Sequence, residues 1–209
     1  MIKRNPKNER IKRQYGEFLK HADGKAEATI RQVEKSIQRY EDFTSSADFA
    51  TFDQLRAREF KTHLVDRGMS KATMLSSVTA LKRFLGWLAH QPGYKSRIAI
   101  TDIEYLNLAD KEVRAAKAPA DRAYPTIEQV ENAISRMPAR TDIERRNRAF
   151  IALTAITGVR DGALISLRVK HVDPVRLRVI QNPNEVSTKA SKRIDTFFFP
   201  VSHSPAARR

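Results

Sequence analysis

The 209-residue chain has no cysteine. That removes disulfides and every thiolate metal site, and it fits a reducing compartment. No apolar run approaches the roughly 20 residues a membrane span needs. No apolar signal core follows the basic N-terminus, so a soluble, cytoplasmic protein is expected. No cluster of His, Asp and Glu has metal-ligand spacing, so no metal is expected; no small-molecule cofactor is expected either. Acidic residues are scarce too. There are 24 Asp+Glu against 39 Lys+Arg, a formal net charge of +15. A surplus of that size selects polyanions, nucleic acid ahead of a membrane surface. Hydrophobic residues make up 41% of the chain, enough for packed cores. The length admits one or two domains.

Residues 1–14 are a basic lead-in, open to two readings, a solvated tail or an arm lying along a polyanion. From Glu9 to His21 the spacing of Ile11, Tyr15 and Leu19 predicts a helix, broken at Asp23-Gly24. Residues 25–43 carry Ile30, Val33, Ile37 and Tyr40 on one stripe. Thr51-Phe52-Asp53-Gln54 reads as a capping box opening a helix to about Asp66. Ser70 caps the next helix, in which Met74, Val78, Leu81, Leu85 and Leu88 recur at steps of four and three. Phe84 and Trp87 thicken that stripe and read as core, with base stacking as the lesser reading. Away from it stand Lys71, Thr73, Ser76, Ser77, Thr79, Lys82 and Arg83. Small hydroxyls among cations are what a helix lying in a DNA groove would present, and also what a solvated face presents. Thr101 to Glu104 reads as a second capping box, starting a short helix or only a turn. The first half is therefore expected to be all-helical.

Residues 111–125, with alternating cations, Ala and two prolines, predict an extended linker. Capping boxes at Thr126–Gln129 and Thr141–Glu144 open two further helices. The second is so apolar around Phe150, Leu153 and Ile156 that it reads as buried and central to its domain. Thr157-Gly158 closes it, and Arg160 stands at the mouth of the next helix. Helix N–H groups and a guanidinium fork together suit a phosphate. The plainer reading makes Arg160 a salt-bridge partner of Asp173. His171 reads as a surface residue at a helix end. Arg176 to Ile180 predicts a half-exposed strand, Val186–Thr188 restarts extended structure, residues 189–192 form a hairpin tip, and Arg193–Phe199 returns. Three consecutive Phe residues, 197–199, call for cover.

The run TAITGVRDGALISLRVKHVD resembles the first catalytic-arginine box of the tyrosine recombinase, or phage integrase, family. Its elements stand here as Thr157, Gly158, Arg160, Leu164, Leu167 and Asp173. The KASKR segment is similar to the hairpin carrying the family's lysine. Lys189, 29 positions after Arg160, is the expected residue and Lys192 the fallback. The segments TIRQVEKSIQRYEDF and TMLSSVTALKRFLGWL resemble the family's core-binding domain.

The resemblance implies a mainly α architecture. A basic arm or helix (1–24), an all-helical SAM-like core-binding domain (25–110) and a linker (111–125) precede a truncated α+β catalytic domain (126–209) with a small antiparallel β-hairpin. It implies double-stranded DNA as partner, for which the helix pattern above offers Lys71, Thr73, Ser77, Lys82 and Arg83 as contacts. It also implies nucleoid association, a homo-oligomer on DNA, and service to a mobile element. In the family a tyrosine attacks the scissile phosphate, arginines and a histidine stabilise the transition state, and the lysine protonates the leaving 5′-oxygen. Arg160 and Lys189 are the catalytic candidates.

The chain also departs from the pattern. Tyr15, Tyr40, Tyr94, Tyr105 and Tyr124 all precede Arg160. His203 is followed by Ser-Pro-Ala, so it opens no His-x-x-Arg box. Ala163 stands where the family often has an acid, leaving Asp161 as the nearest. The expectation is a DNA-binding recombinase lacking its nucleophile and inactive alone. The alternative is a non-catalytic DNA-binding protein or a truncated competitor at recombination sites. A third reading is an unrelated basic helical protein, such as an RNA-binding factor.

Overall fold

The computed structural model describes residues 4–119 and 123–199. The chain divides into two compact units, Met1–Ala120 and Asp121–Arg209.

Among the described residues the first unit is all-helical. α1 (Pro6–His21) starts early because Asn5 caps it, accepting from the N–H groups of Lys7 and Asn8, and because Pro6 sits where a missing N–H costs nothing. Ile11, Tyr15 and Leu19 are buried in the unit's core. Much of the expected basic arm is thus the outer face of a core helix. α2 (Glu27–Phe43) and α4 (Lys71–Leu88) lie side by side at the centre. α4 buries Met74, Val78, Leu81, Phe84, Leu85 and Leu88, with Ser70 as its cap. Trp87 packs against Tyr15 at 5.0 Å between rings, so the aromatics of α4 are core.

Two expected capping boxes do not form. α3 (Gln54–Asp66) is capped by Asp53, whose carboxylate accepts the Arg56 N–H. Thr51 instead closes a 3-10 turn, Phe49–Thr51, by donating to the Asp48 carbonyl. α5 (Ile100–Ile103) begins before Thr101, after Ala99. The linker is also shorter than its composition implies. α6 (Asp110–Lys117) is helical and packs on α4, its N-terminus held by Glu112 accepting the Ala109 N–H.

A carboxylate is buried in this core. Glu41 accepts from Asn8 Nδ2 at 3.0 Å and pairs with Lys12 Nζ at 2.5 Å. The same lysine reaches Glu9 at 2.8 Å. Asn8 also donates to the Ala47 carbonyl, tying α1 to the loop after α2.

The second unit opens with α7 (Ile127–Arg136) and α8 (Asp142–Thr157), both started by the expected boxes, Thr126 with Gln129 and Thr141 with Glu144. α8 is not a buried helix. Phe150, Leu153 and Thr157 face a small core of Val159, Ala163, Leu164, Val179 and Val186. Ile143, on the same face but nearer the N-terminus, and Ile151, off that face, are 63% and 45% exposed. Apolar residues encircle α8, but the described elements cover one face only. α9 (Asp161–Leu164) is a single turn.

Three antiparallel strands follow: β1 (Val172–Asp173), β2 (Arg178–Gln181) and β3 (Ile194–Phe197), in spatial order β1-β2-β3. Val172 pairs with Val179 and Gln181 with Ile194. β1 was not expected, and residues 186–188 form no strand, although the Thr188 backbone is extended. Of the three phenylalanines, Phe198 packs on the core while Phe197 and Phe199 stay exposed. The architecture is thus mainly helical with one small antiparallel sheet.

Candidate functional site

The site is built from the end of α8. Gly158 adopts φ +63° and its N–H closes the helix on the Thr154 carbonyl. A left-handed residue there is what glycine supplies at little cost. The chain then turns through buried Val159 and leaves Arg160 exposed at the cap position of α9. One helical turn carries little macrodipole, so charge at this mouth comes chiefly from the guanidinium. The salt bridge to Asp173 that the plainer reading gave Arg160 does not form. Asp173 accepts the Arg176 N–H at 2.9 Å and lies 3.6 Å from each of the Arg176 and Arg178 guanidinium groups. Among the described residues Arg160 has no carboxylate partner within ion-pair distance.

Lys189 opens a short 3-10 turn, Lys189–Ser191, on the long connection between β2 and β3. It lines one cleft with Arg160, together with Asp161, Gln181, Ser187 and Thr188, in a volume of about 240 Å³. Lys192 does not line it. The floor is polar and fixed. Gln181 is 3% exposed and donates to Thr196 Oγ1 at 2.9 Å. Two cations against one carboxylate make the cleft cationic, and it is open enough to admit a phosphate group. Asp161 is partly committed, accepting the Gly162 N–H at 2.8 Å.

The Lys189 segment is strapped in place by residues to which the sequence reading gave no part in the site. The Ser187 N–H donates to Ser166 Oγ at 2.8 Å, and Ser166 itself donates to the Ala163 carbonyl at 2.8 Å. Glu185 reaches Lys170 Nζ at 2.6 Å and His171 Nε2 at 2.9 Å. His171 is 5% exposed, so the reading of it as a surface residue is corrected. Its Nδ1 accepts the Arg168 N–H at 3.0 Å, which leaves Nε2 as the donor to Glu185. The hydrogen bonds from Lys170 first and His171 second hold the Glu185 carboxyl down at about 2.

The five α4 residues expected to contact DNA do not share a face. At about 100° per residue, Ser77 falls in the middle of the buried arc, and it is fully buried, accepting from Arg39 Nη1 at 3.3 Å. Ser77 is therefore withdrawn as a surface contact. Thr73 is half-buried beside the cap residue Ser70, its N–H donating to Ser70 Oγ at 3.2 Å. Lys82 is engaged by Glu104 at 2.8 Å and Asn107 at 2.7 Å. Lys71 and Arg83 are exposed, with Arg83 on a groove shared with Val113 and Lys117 of α6.

No family model matches the chain. No curated protein matches it. Among solved structures, the crystal structure of XerA recombinase aligns with 92% of this chain at 17% identity and a TM-score of 0.38. The chain spans 60% of that protein's length.

Proposed function

We propose that the chain binds double-stranded DNA and that the cleft between Arg160 and Lys189 receives a phosphodiester group. The observation that carries this reading is the meeting in one cleft of two cations 29 positions apart in sequence, in a protein of net charge +15. A planar guanidinium can hold two non-bridging oxygens and offset charge growing on them, while a flexible ammonium can reach a third or a leaving oxygen. That division of labour is the one a phosphotyrosyl recombinase uses, with Arg160 as transition-state stabiliser and Lys189 as general acid.

A second reading rests on a specific observation. Tyr124, the tyrosine of the second unit, does not line the cleft, so within its own unit the site would hold a phosphodiester without a tyrosine nucleophile to cleave it. The chain would then act as a non-catalytic occupant of recombination sites, alone or as a homo-oligomer. Lys71 and Arg83 remain candidates for phosphate contacts from the first unit.

The test is equilibrium binding of the whole chain to a duplex over a salt series. The expected result is a steep loss of affinity with salt, a shallower slope by about one phosphate equivalent in Arg160→Ala, and no covalent adduct with a nicked suicide duplex. Preference for single-stranded RNA, or an Arg160→Ala protein that binds duplex like the parent, would reject the reading. A trapped adduct would reject the non-catalytic form of it.

A further inference from the structure

Lys189 stands on an irregular connection of 12 residues between Gln181 and Ile194. Its own 3-10 turn carries a non-glycine residue, Ser191, at φ +50°. Such a segment does not hold a lysine at a fixed place by its own backbone preferences. Something must set where Lys189 lies relative to Arg160.

Four contacts converge on the residues just before it. Val186 is buried in the second core, and its N–H donates to the Asn182 carbonyl at 2.8 Å. The Ser187 N–H donates to Ser166 Oγ, two residues past the end of α9. Glu185 takes Lys170 on one oxygen and His171 on the other. Of these partners only His171 is buried and bonded on both ring nitrogens. Lys170 and Glu185 are exposed, and an exposed pair by itself fixes little. The imidazole is different, because its orientation is set by the Arg168 N–H before it meets Glu185.

We propose that His171 is a positioning residue that, through Glu185, holds the Lys189 segment against the Arg160 turn. The inference rests on the reading of the Arg160–Lys189 cleft as a phosphodiester site. The imidazole acts as a rigid spacer, Nδ1 anchored to backbone and Nε2 donating to the carboxylate. Losing that link frees residues 185–189 on one side and leaves Lys189 to sample positions away from the cleft.

Two substitutions separate the halves of this device. In His171→Asn the amide oxygen can take the place of Nδ1 and keep the backbone anchor, but nothing reaches Glu185. In His171→Gln the longer amide can donate to Glu185 in place of Nε2. Native-state amide exchange of the whole chain is the direct readout. His171→Asn is expected to speed exchange at Val186 and Ser187 about tenfold or more, the factor expected when one local hydrogen bond is lost, with β2 amides unchanged. His171→Gln is expected to restore protection at both amides. Unchanged exchange in His171→Asn, or equal loss in both variants, overturns the proposal, and a parallel rise in β2 amides marks a merely structural role and overturns it too. Duplex binding supplies the second arm. If Lys189→Ala weakens binding, His171→Asn must weaken it as well, and the double variant must be no weaker than Lys189→Ala alone; additive losses overturn the proposal. If neither Lys189→Ala nor Arg160→Ala changes binding, the phosphodiester reading fails, and amide exchange alone decides whether His171 positions the segment.

Discussion

Replacing Lys12 by Met should damage the first unit more than removing its partner carboxylate along with it. Glu41 is 1% exposed, and its charge is met by Lys12 Nζ and Asn8 Nδ2. Lys12→Met leaves the carboxylate in the core with Asn8 as its remaining side-chain donor. An uncompensated buried charge of this kind costs about 3–5 kcal/mol. For a unit of this size that is a fall in melting temperature of roughly 12–20 °C, at about 4 °C per kcal/mol. Lys12→Met/Glu41→Met removes both charges. Asn8 then keeps its bond to the Ala47 carbonyl and loses one other, a cost of about 1–2 kcal/mol. The single tryptophan, Trp87, lies in this core, so its fluorescence during urea or thermal unfolding reports the first unit alone.

The pH dependence has a definite sign. Burial pulls the Lys12 ammonium down, but hydrogen bonds to Glu41 and Glu9 outweigh it and leave it above the usual 10.5. A raised cation stabilises fully below 10.5 and loses that contribution as pH climbs through the raised folded value. The parent's stability should therefore fall above pH 10.5 more steeply than that of the double variant. A double variant as unstable as Lys12→Met, or a Lys12→Met protein within about 1 kcal/mol of the parent, would refute the reasoning.

Three further outcomes are expected. The Glu185 carboxyl, held at about 2 by Lys170 and His171, keeps its contribution above pH 4.5 and loses it as pH falls towards 2, so its carboxyl carbon resonance should titrate near 2; titration at the ordinary carboxylate value would show the pair broken in solution. Gly158→Ala should destabilise the second unit by about 1 kcal/mol from left-handed strain alone, because an added Cβ meets nothing within 4 Å; circular dichroism melting measures it. Ser77→Ala should leave duplex affinity unchanged, because Ser77 lies inside the core beside Arg39; a clear loss in a gel-shift titration would return it to the surface.

Where one physical signal dominates, the chain was legible. The stripe of α4 and the boxes at Thr126 and Thr141 are local, and local rules fix them. The face of α4 opposite that stripe was misjudged at Ser77, because a small hydroxyl fits a core as readily as a surface once Arg39 satisfies it. α6 has no apolar stripe to announce it, and its helix is held by its N-terminal carboxylate and by α4. α8 was read as central because apolarity marks what can be buried, whereas burial also requires something to cover it. Arg160 was visible through Gly158, since a glycine turn is a one-residue signal. The clamp beneath Lys189 was not, because His171 and Glu185 stand 14 positions apart with no period joining them, and only the fold brings them to 2.9 Å.

The central claim is that Arg160 meets a phosphodiester, and the guanidinium can be watched directly. In the isotope-labelled whole chain, the Arg160 Nε–Hε resonance should shift progressively on titration with a short duplex and return as salt is raised, with a smaller shift in Lys189→Ala. A resonance that stays fixed while the duplex demonstrably binds would contradict the account.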